Sequence, residues 1–505
     1  MVPKYALQIL SIIGYATSLQ AYLLKTRDSS AAQKACALIK SQFPQLVSFI
    51  GEDQFESDIE HWAASSEQTS TCSVEPTNSD EVSGILKLVG QSDIRAPFAV
   101  KSGGHAFAQN FSSTPGVQIS LSKFTNVTFD AQQNTVTIGV ALTWDQVYEK
   151  LEPYNVTVAG GRIVGVGVGG LSLGGGYSWR SDQYGLTIDN IISHDLVLPN
   201  GEQVKVTNES NPDLFFALKG GMNNFGVVTE ITLNALPQGQ VYAGTVSYPS
   251  DVLDQVTEAF DNFNRQNTDP RIQIMLAYGV TDGQLSTTAY LSLNSPESSD
   301  IFDSFLSIPS IQSDVKVRDF TDFMSLIGTL NPDFSSFGYA GHAVPMAKYS
   351  KTFADSVAEL LISTESKLKT QYPSLDLIVG CFLEPFINAN AHSLGGAYPH
   401  PPDHPLTPIS PSITYYVDPN LTLEEKNSLY SELLIEARNL STAIQTQAVS
   451  EGLSQWDDIL YLNYAAPDTP LELLYGENLP RLRDLAAQFD PEKVMTLTGG
   501  FLFQS

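Results

Sequence analysis

The chain has 505 residues, 42% hydrophobic and 10% aromatic; that is enough to bury large cores in two domains, and it excludes a disordered chain. Its 27 Lys+Arg against 55 Asp+Glu leave a formal net charge of −28, which argues against nucleic acid or an anionic membrane as partner, since both need a basic surface. The acidity reads first as a well-hydrated surface.

In chain order, Lys4 precedes an apolar stretch over 5–16 that is too short to span a bilayer, and Ala16-Thr17-Ser18 offers small residues for cleavage. Residues 1–18 are read as a secretory signal, the alternative being a packed N-terminal helix. Six Asn-x-Ser/Thr sequons, at Asn110, Asn126, Asn155, Asn208, Asn420 and Asn439, fit export and glycosylation. Asn78-x-x-Glu81 marks a capping box opening a helix to residue 88, followed by a strand over 96–101 that delivers Ser102-Gly103-Gly104-His105 into a turn. Strands are expected over 117–121 and 135–140, then a helix capped by Thr143 with Gln146. Pro199-Asn200-Gly201 joins 195–198 to 203–207 as a hairpin, and 226–233 closes the unit as a strand. Beyond Pro237 the pattern predicts a helix over 251–263, a hairpin turning at Asp282-Gly283, a helix over 353–372, and strands over 375–383 and 412–417. A helix capped by Thr422 and Glu425 runs to about residue 446, and the proline-dense segment 399–411 reads as irregular. The fold class is α+β, with an antiparallel sheet carrying helices on one face.

The most informative segments are Lys101-Ser102-Gly103-Gly104-His105 and the run from Gly160 to Gly176. Backbone this bare can approach a bulky anionic ligand closely. Gly165 to Gly170 formally matches the G-x-G-x-x-G fingerprint, but that pattern needs a strand before it and a helix after it. The continuation Leu171-Ser172-Leu173-Gly174-Gly175-Gly176 is a poor helix opening. A flexible linker is excluded because valine, isoleucine and leucine fill the gaps. The run reads as buried, closely packed backbone.

These two segments, with Tyr184-Gly185-Leu186-Thr187-Ile188-Asp189-Asn190, Lys219-Gly220-Gly221 and Asn224-Phe225-Gly226-Val227-Val228, resemble the PCMH-type FAD-binding domain of the vanillyl-alcohol oxidase superfamily. Tyr461-Leu462-Asn463-Tyr464, Tyr475-Gly476-Glu477-Asn478 and Phe489-Asp490-Pro491 resemble the C-terminal signature of its berberine-bridge-enzyme-like branch, in a form typical of fungal secondary metabolism. The resemblance implies a helical segment over 19–67, an FAD-binding domain over 68–238, a substrate domain over 239–450 and a return to the FAD domain over 451–505. It also implies a disulfide between Cys36 and Cys72, leaving Cys381 as core filler.

By the same resemblance His105 binds FAD covalently, amid Lys101, Ser102, Gly103, Gly104 and Ala106. The other implied FAD positions are Gly165, Val166, Gly167, Gly169, Gly170, Leu173, Gly174, Gly175, Gly176, Tyr177, Asp189, Asn190, Gly226, Val227, Val228, Tyr461 and Asn463. Many relatives carry a second link through a cysteine where this chain has Ile163, so a single covalent bond is expected and a sugar-oxidase reading is weakened. Tyr461 is the expected base, and Glu384 or His392 the polar partner that a phenol of ordinary pKa about 10 requires. Valine at position 166 is the residue type that leaves oxygen room beside the flavin in this family. His392, His400 and His404, spaced by eight and four in a proline-rich loop, do not read as a metal cage. The expected activity is oxidation of a small organic molecule, an alcohol, an amine or an activated C–H, with O2 as final acceptor and peroxide as by-product, by a secreted monomer. A carbohydrate oxidase, a non-redox cyclase or isomerase using the flavin as scaffold, and a cofactor-less binding protein are the alternatives.

Overall fold

The computed structural model describes residues 29–327 and 336–504, so the expected signal segment 1–18 lies outside it. The helix Ser29–Gln42 and the helix Ser79–Gly90 pack beside a four-stranded sheet ordered Val47–Ser48, Cys72–Val74, Val117–Ser120, Phe98–Lys101. The last three strands run parallel. Asn78 accepts from the Glu81 N–H at 3.0 Å to cap the second helix, and Val82, Ile85, Leu86 and Val89 give it a buried stripe at helical spacing. The Glu81 carboxylate closes back on Thr77 rather than on Asn78. A disulfide joins Cys36 of the first helix to Cys72 of the sheet. Phe98–Lys101 ends where the bare Ser102-Gly103-Gly104 turn begins.

A five-stranded antiparallel sheet, ordered Val127–Asp130, Thr135–Gly139, Val227–Asn234, Ile191–Val197, Gln203–Thr207, adjoins the first. The helix Trp144–Leu151 opens on the expected Thr143/Gln146 capping box. The glycine run departs from expectation, because Val168–Leu173 does form a short helix. Glycine costs helix propensity there, but a Cβ at Gly169 would lie 2.9 Å from Ser102 Oγ, so close packing against the neighbouring turn outweighs it. No strand leads into that helix, since Gly167 makes only an isolated bridge to Thr143. The dinucleotide frame is therefore missing.

The second half builds a nine-stranded sheet whose central path runs Val241–Tyr248, Gln284–Leu293, Ile272–Thr281, Leu377–Leu383, Thr407–Tyr416, Phe337–Gly341, antiparallel throughout. Asp282 (φ +49°) and Gly283 (φ +71°) both occupy the left-handed region at its central hairpin, as a two-residue turn with the twist of the strands requires. Period-two alternation divides its faces. Ile274, Leu276, Tyr278 and Val280 join a core with the helices Leu253–Gln266, Lys351–Gln371 and Leu423–Ser450, while Met275 and Ala277 pack on the core that the two smaller sheets share. One strand departs from expectation: Thr407–Tyr416 includes Pro408 and Pro411 from the segment read as irregular. Pro408 lies opposite Pro345, a pair in which neither residue has an N–H to leave unpaired, and the Pro411 carbonyl accepts from the His342 N–H at 3.3 Å.

Candidate active site

The two glycine segments meet backbone to backbone. A Cβ at Gly103 would lie 2.5 Å from Gly167 Cα, and one at Gly167 would lie 2.7 Å from Gly103 Cα. No side chain fits between them. Ser102 Oγ fastens the crossing by donating to the Val140 carbonyl and accepting from the Gly169 N–H at 3.1 Å. Above it opens a cavity of about 280 Å³ that reaches from Gly104 and His105 past Gly169, Gly170 and Gly226 to Tyr461, Asn463 and Tyr464. Gly170 lines it with open space where a Cβ would be.

His105 stands at one end, its ring stacked on Trp62 at 4.3 Å and 16°. Burial pushes its pKa down to about 4, so the imidazole is neutral at physiological pH. Its Nε2 is buried with no hydrogen-bond partner among the described residues. A native protein rarely strands such an atom. An orphaned imidazole nitrogen beside a bare backbone cradle suits a flavin, so the residues present fit FAD.

At the other end, Tyr461 is buried, and its oxygen accepts from the Gly176 N–H at 3.1 Å and from Asn463 Nδ2 at 2.9 Å. Burial raises its pKa, against the pull of the Asn463 donor, Arg162 and the backbone donors. Tyr177, Tyr398 and Tyr464 pack edge-on around its ring. Beside them Arg162 Nη2 contacts Glu384 Oε2 at 2.5 Å and the Tyr464 hydroxyl at 3.2 Å, and that hydroxyl donates to Glu384 Oε1 at 3.0 Å. The side chains of Arg162 and Glu384 are 6% and 1% exposed, which makes this a desolvated ion pair that holds only while both partners are present. Burial pushes the Glu384 carboxyl above its usual range, opposed by Arg162 and Tyr464. Burial works against the Arg162 charge too, but Glu384 and the tyrosines outweigh it and keep the guanidinium protonated.

Most expected FAD positions converge here: Ser102, Gly103, Gly104, His105, Ala106, Val166, Gly167, Gly169, Gly170, Leu173, Tyr177, Gly226, Val227, Val228, Tyr461 and Asn463 all line the cavity. Others lie behind it. Lys101 donates to the Ser57 carbonyl. Gly165 is held by the Asp145 carboxylate through its N–H. Gly174 lies against Asn463, while Gly175 packs against Tyr398 and Tyr461. With the Gly176 N–H, they seat the Tyr461 and Asn463 side chains. Asp189 pairs with His400 at 3.0 Å and caps the 187–190 turn, and Asn190 donates to the Tyr184 and Leu186 carbonyls. His392 does not reach the cavity, because its Nε2 sits 3.2 Å from the Asp182 carbonyl, on the Ser181–Tyr184 turn. His404 pairs with Asp458, so the three histidines of the proline-rich loop go to three different partners. The expectation missed Arg162 and Tyr464. The signal for the first was present: Arg162 is the one charged side chain in the run from Gly160 to Gly176.

The FAD binding domain model matches residues 70–207, and the berberine and berberine-like model matches residues 460–498. The FAD-dependent monooxygenase drtC of Aspergillus calidoustus is 29% identical over 487 residues, covering 94% of this chain and 90% of that protein. The bifunctional solanapyrone synthase of Alternaria solani is 30% identical over 63% of this chain and 61% of its own length. Among solved structures, BBE-like 1 of Physcomitrella patens superposes with a TM-score of 0.73 at 17% identity, covering 93% of this chain and 98% of its own. The order of the motifs, the crossed glycine segments and these matches agree that FAD is the cofactor and that the chain is a redox enzyme for a small organic substrate. The chain is an FAD-linked oxidoreductase that carries an FAD binding domain and a berberine-like C-terminal segment, on the fold shared with the berberine-bridge-enzyme-like structures.

Proposed function

We propose that the protein is an oxidase, possessing one FAD linked through His105 alone, that oxidises a carbon bearing oxygen or nitrogen, or an activated C–H, in a secondary-metabolite precursor. The observation that carries this is a single cavity with an unpartnered His105 nitrogen at one end and the Tyr461–Asn463 pair at the other. FAD, when bound, supplies the hydride acceptor and passes the electrons to O2, giving H2O2. Tyr461, as phenolate, would take the substrate proton: Asn463 and the Gly176 N–H both donate to its oxygen and so work against the burial that raises its pKa. Tyr464 donates to Glu384 beside it, a separate pair that meets Tyr461 only through ring packing. The aromatic walls exclude water from this end of the cavity. Ile163, where a second attachment would need a thiol, lines the cavity and supports the single link.

Export through the secretory pathway with glycosylation belongs to the same reading. It is supported by the Cys36–Cys72 disulfide and by the exposure of Asn126, Asn155, Asn208, Asn420 and Asn439, whereas Asn110 is half-buried. The division at about 68, 238 and 450 into FAD and substrate portions is likewise proposed; the boundary at 238 falls between the smaller sheets and the nine-stranded sheet, and that at 450 at the end of the helix Leu423–Ser450. Anaerobic addition of aromatic alcohols and amines to the purified protein tests the activity. The flavin absorbance bleaches with a substrate, and admission of air restores it with one peroxide per turnover. Conversion of a compound without bleaching would make the protein a non-redox cyclase or isomerase instead.

A further inference from the structure

Among the described residues, Arg162 is the only formally charged side chain lining the cavity, His105 being held neutral by its burial. Nη2 is engaged by Glu384 and Tyr464. Among the described residues, no hydrogen bond takes up Nε or Nη1, yet neither is sealed in the protein as a stranded buried donor. A guanidinium presents five N–H donors in a rigid plane, so N–H groups outside the Glu384 and Tyr464 bonds are available where the side chain borders the cavity. The guanidinium also lies 5.0 Å over the Phe386 ring, with Tyr177, Tyr461 and Tyr464 nearby. These neighbours form an aromatic surround with a single charged donor group.

We infer that Arg162 fixes the substrate by donating an N–H that Glu384 and Tyr464 leave free to an uncharged oxygen, a carbonyl or phenol oxygen, on a flat and largely aromatic molecule. The inference rests on the oxidase reading and names its substrate class. The neutrality of the acceptor follows from charge. Glu384 already balances Arg162, so a substrate carboxylate would bring a second negative charge into the same desolvated space, and the net charge of −28 on the chain opposes its approach. Sugars fit poorly for a different reason. A ring of hydroxyls needs many polar partners, and unmet ones are costly when buried, whereas this surround supplies one guanidinium and several aromatic faces.

Three probes of similar size test the inference on the holoenzyme: acetophenone, ethylbenzene and benzoate, with binding read by ligand-observed saturation-transfer NMR. Acetophenone binds at least tenfold more tightly than either of the others. In Arg162→Met the preference for the ketone over the hydrocarbon falls to within twofold. Because that variant leaves Glu384 unpaired, the double variant Arg162→Met/Glu384→Met is measured beside it and shows the same loss in a properly packed protein. Equal binding of ketone and hydrocarbon to the wild type, tightest binding of benzoate, no binding of any probe, or a preference that survives both variants each overturns the inference. Flavin content and bleaching are recorded separately, so a failure of the oxidase reading shows there and not in the probe preferences.

Discussion

Replacing Gly167 and Gly170 separately by alanine distinguishes backbone that must touch backbone from backbone that must make room for a ligand. At Gly167 the new Cβ would meet Gly103 Cα and Gly103 N at 2.7 Å each. Those are backbone atoms of a segment tied down through Ser102, so neither can rotate away. Forcing them apart costs about 1–3 kcal/mol, the range for overpacking, and the same displacement opens the cradle. Gly170 is different: nothing lies within 4 Å of its Cβ position, and it sits inside the helix Val168–Leu173. Alanine there gains up to about 1 kcal/mol of helix propensity in the protein without flavin, yet its methyl enters the cavity. The assay pairs the thermal midpoint of flavin-free protein with the 450/280 nm absorbance ratio of protein expressed with flavin. Gly167→Ala lowers both. Gly170→Ala holds or raises the midpoint and lowers the flavin ratio. Wild-type values of both quantities in Gly167→Ala would refute the crossing of the two segments, and full flavin loading in Gly170→Ala would refute the placement of the cofactor above it.

Tyr461→Phe removes the oxygen on which two donors converge, so flavin stays bound while anaerobic stopped-flow reduction slows by about 10²–10⁴. Glu384→Gln leaves the Arg162 charge buried without its partner and lowers stability by about 3–5 kcal/mol, read from denaturant midpoints, whereas Arg162→Met/Glu384→Met regains most of the loss. His194 is buried against Phe215 with neither ring nitrogen bonded among the described residues, and its pKa is pushed down to about 3 by burial, from an ordinary 6.5. With the folded value depressed, the unfolded chain binds the proton first as pH falls from 6.5 towards 3, so this group removes stability across that window. His194→Leu is therefore neutral or stabilising at pH 7, and chemical denaturation shows a shallower acid decline than in the wild type. Val166 lines the cavity, and Val166→Leu slows reoxidation by O2 while reduction by substrate and reoxidation by a dye stay within twofold.

The sequence was most readable where local chemistry decides structure. The Thr143 and Thr422 caps, the Asp282-Gly283 turn and the glycine segments each leave a short-range pattern, and each stands where that pattern puts it. Helix formation in Val168–Leu173 was not readable, because it depends on a contact with Ser102, 67 positions away. The Arg162–Glu384 pair spans 222 positions and the Glu384–Tyr464 bond 80, so no local window contains either. His392 looked available because histidine in a polar loop often is. Its distance from the site follows from the Asp182 turn, whose carboxylate accepts from the Ile387 and Asn388 N–H groups and fixes that loop elsewhere.

The attachment of FAD to His105 is tested most directly by acid precipitation, proteolysis and mass spectrometry of the holoenzyme. The stranded His105 nitrogen and the absence of a thiol at Ile163 lead to one FAD per chain, retained in the pellet and found on the His105 peptide alone. Flavin released into the supernatant, or carried on any other residue, would contradict the account.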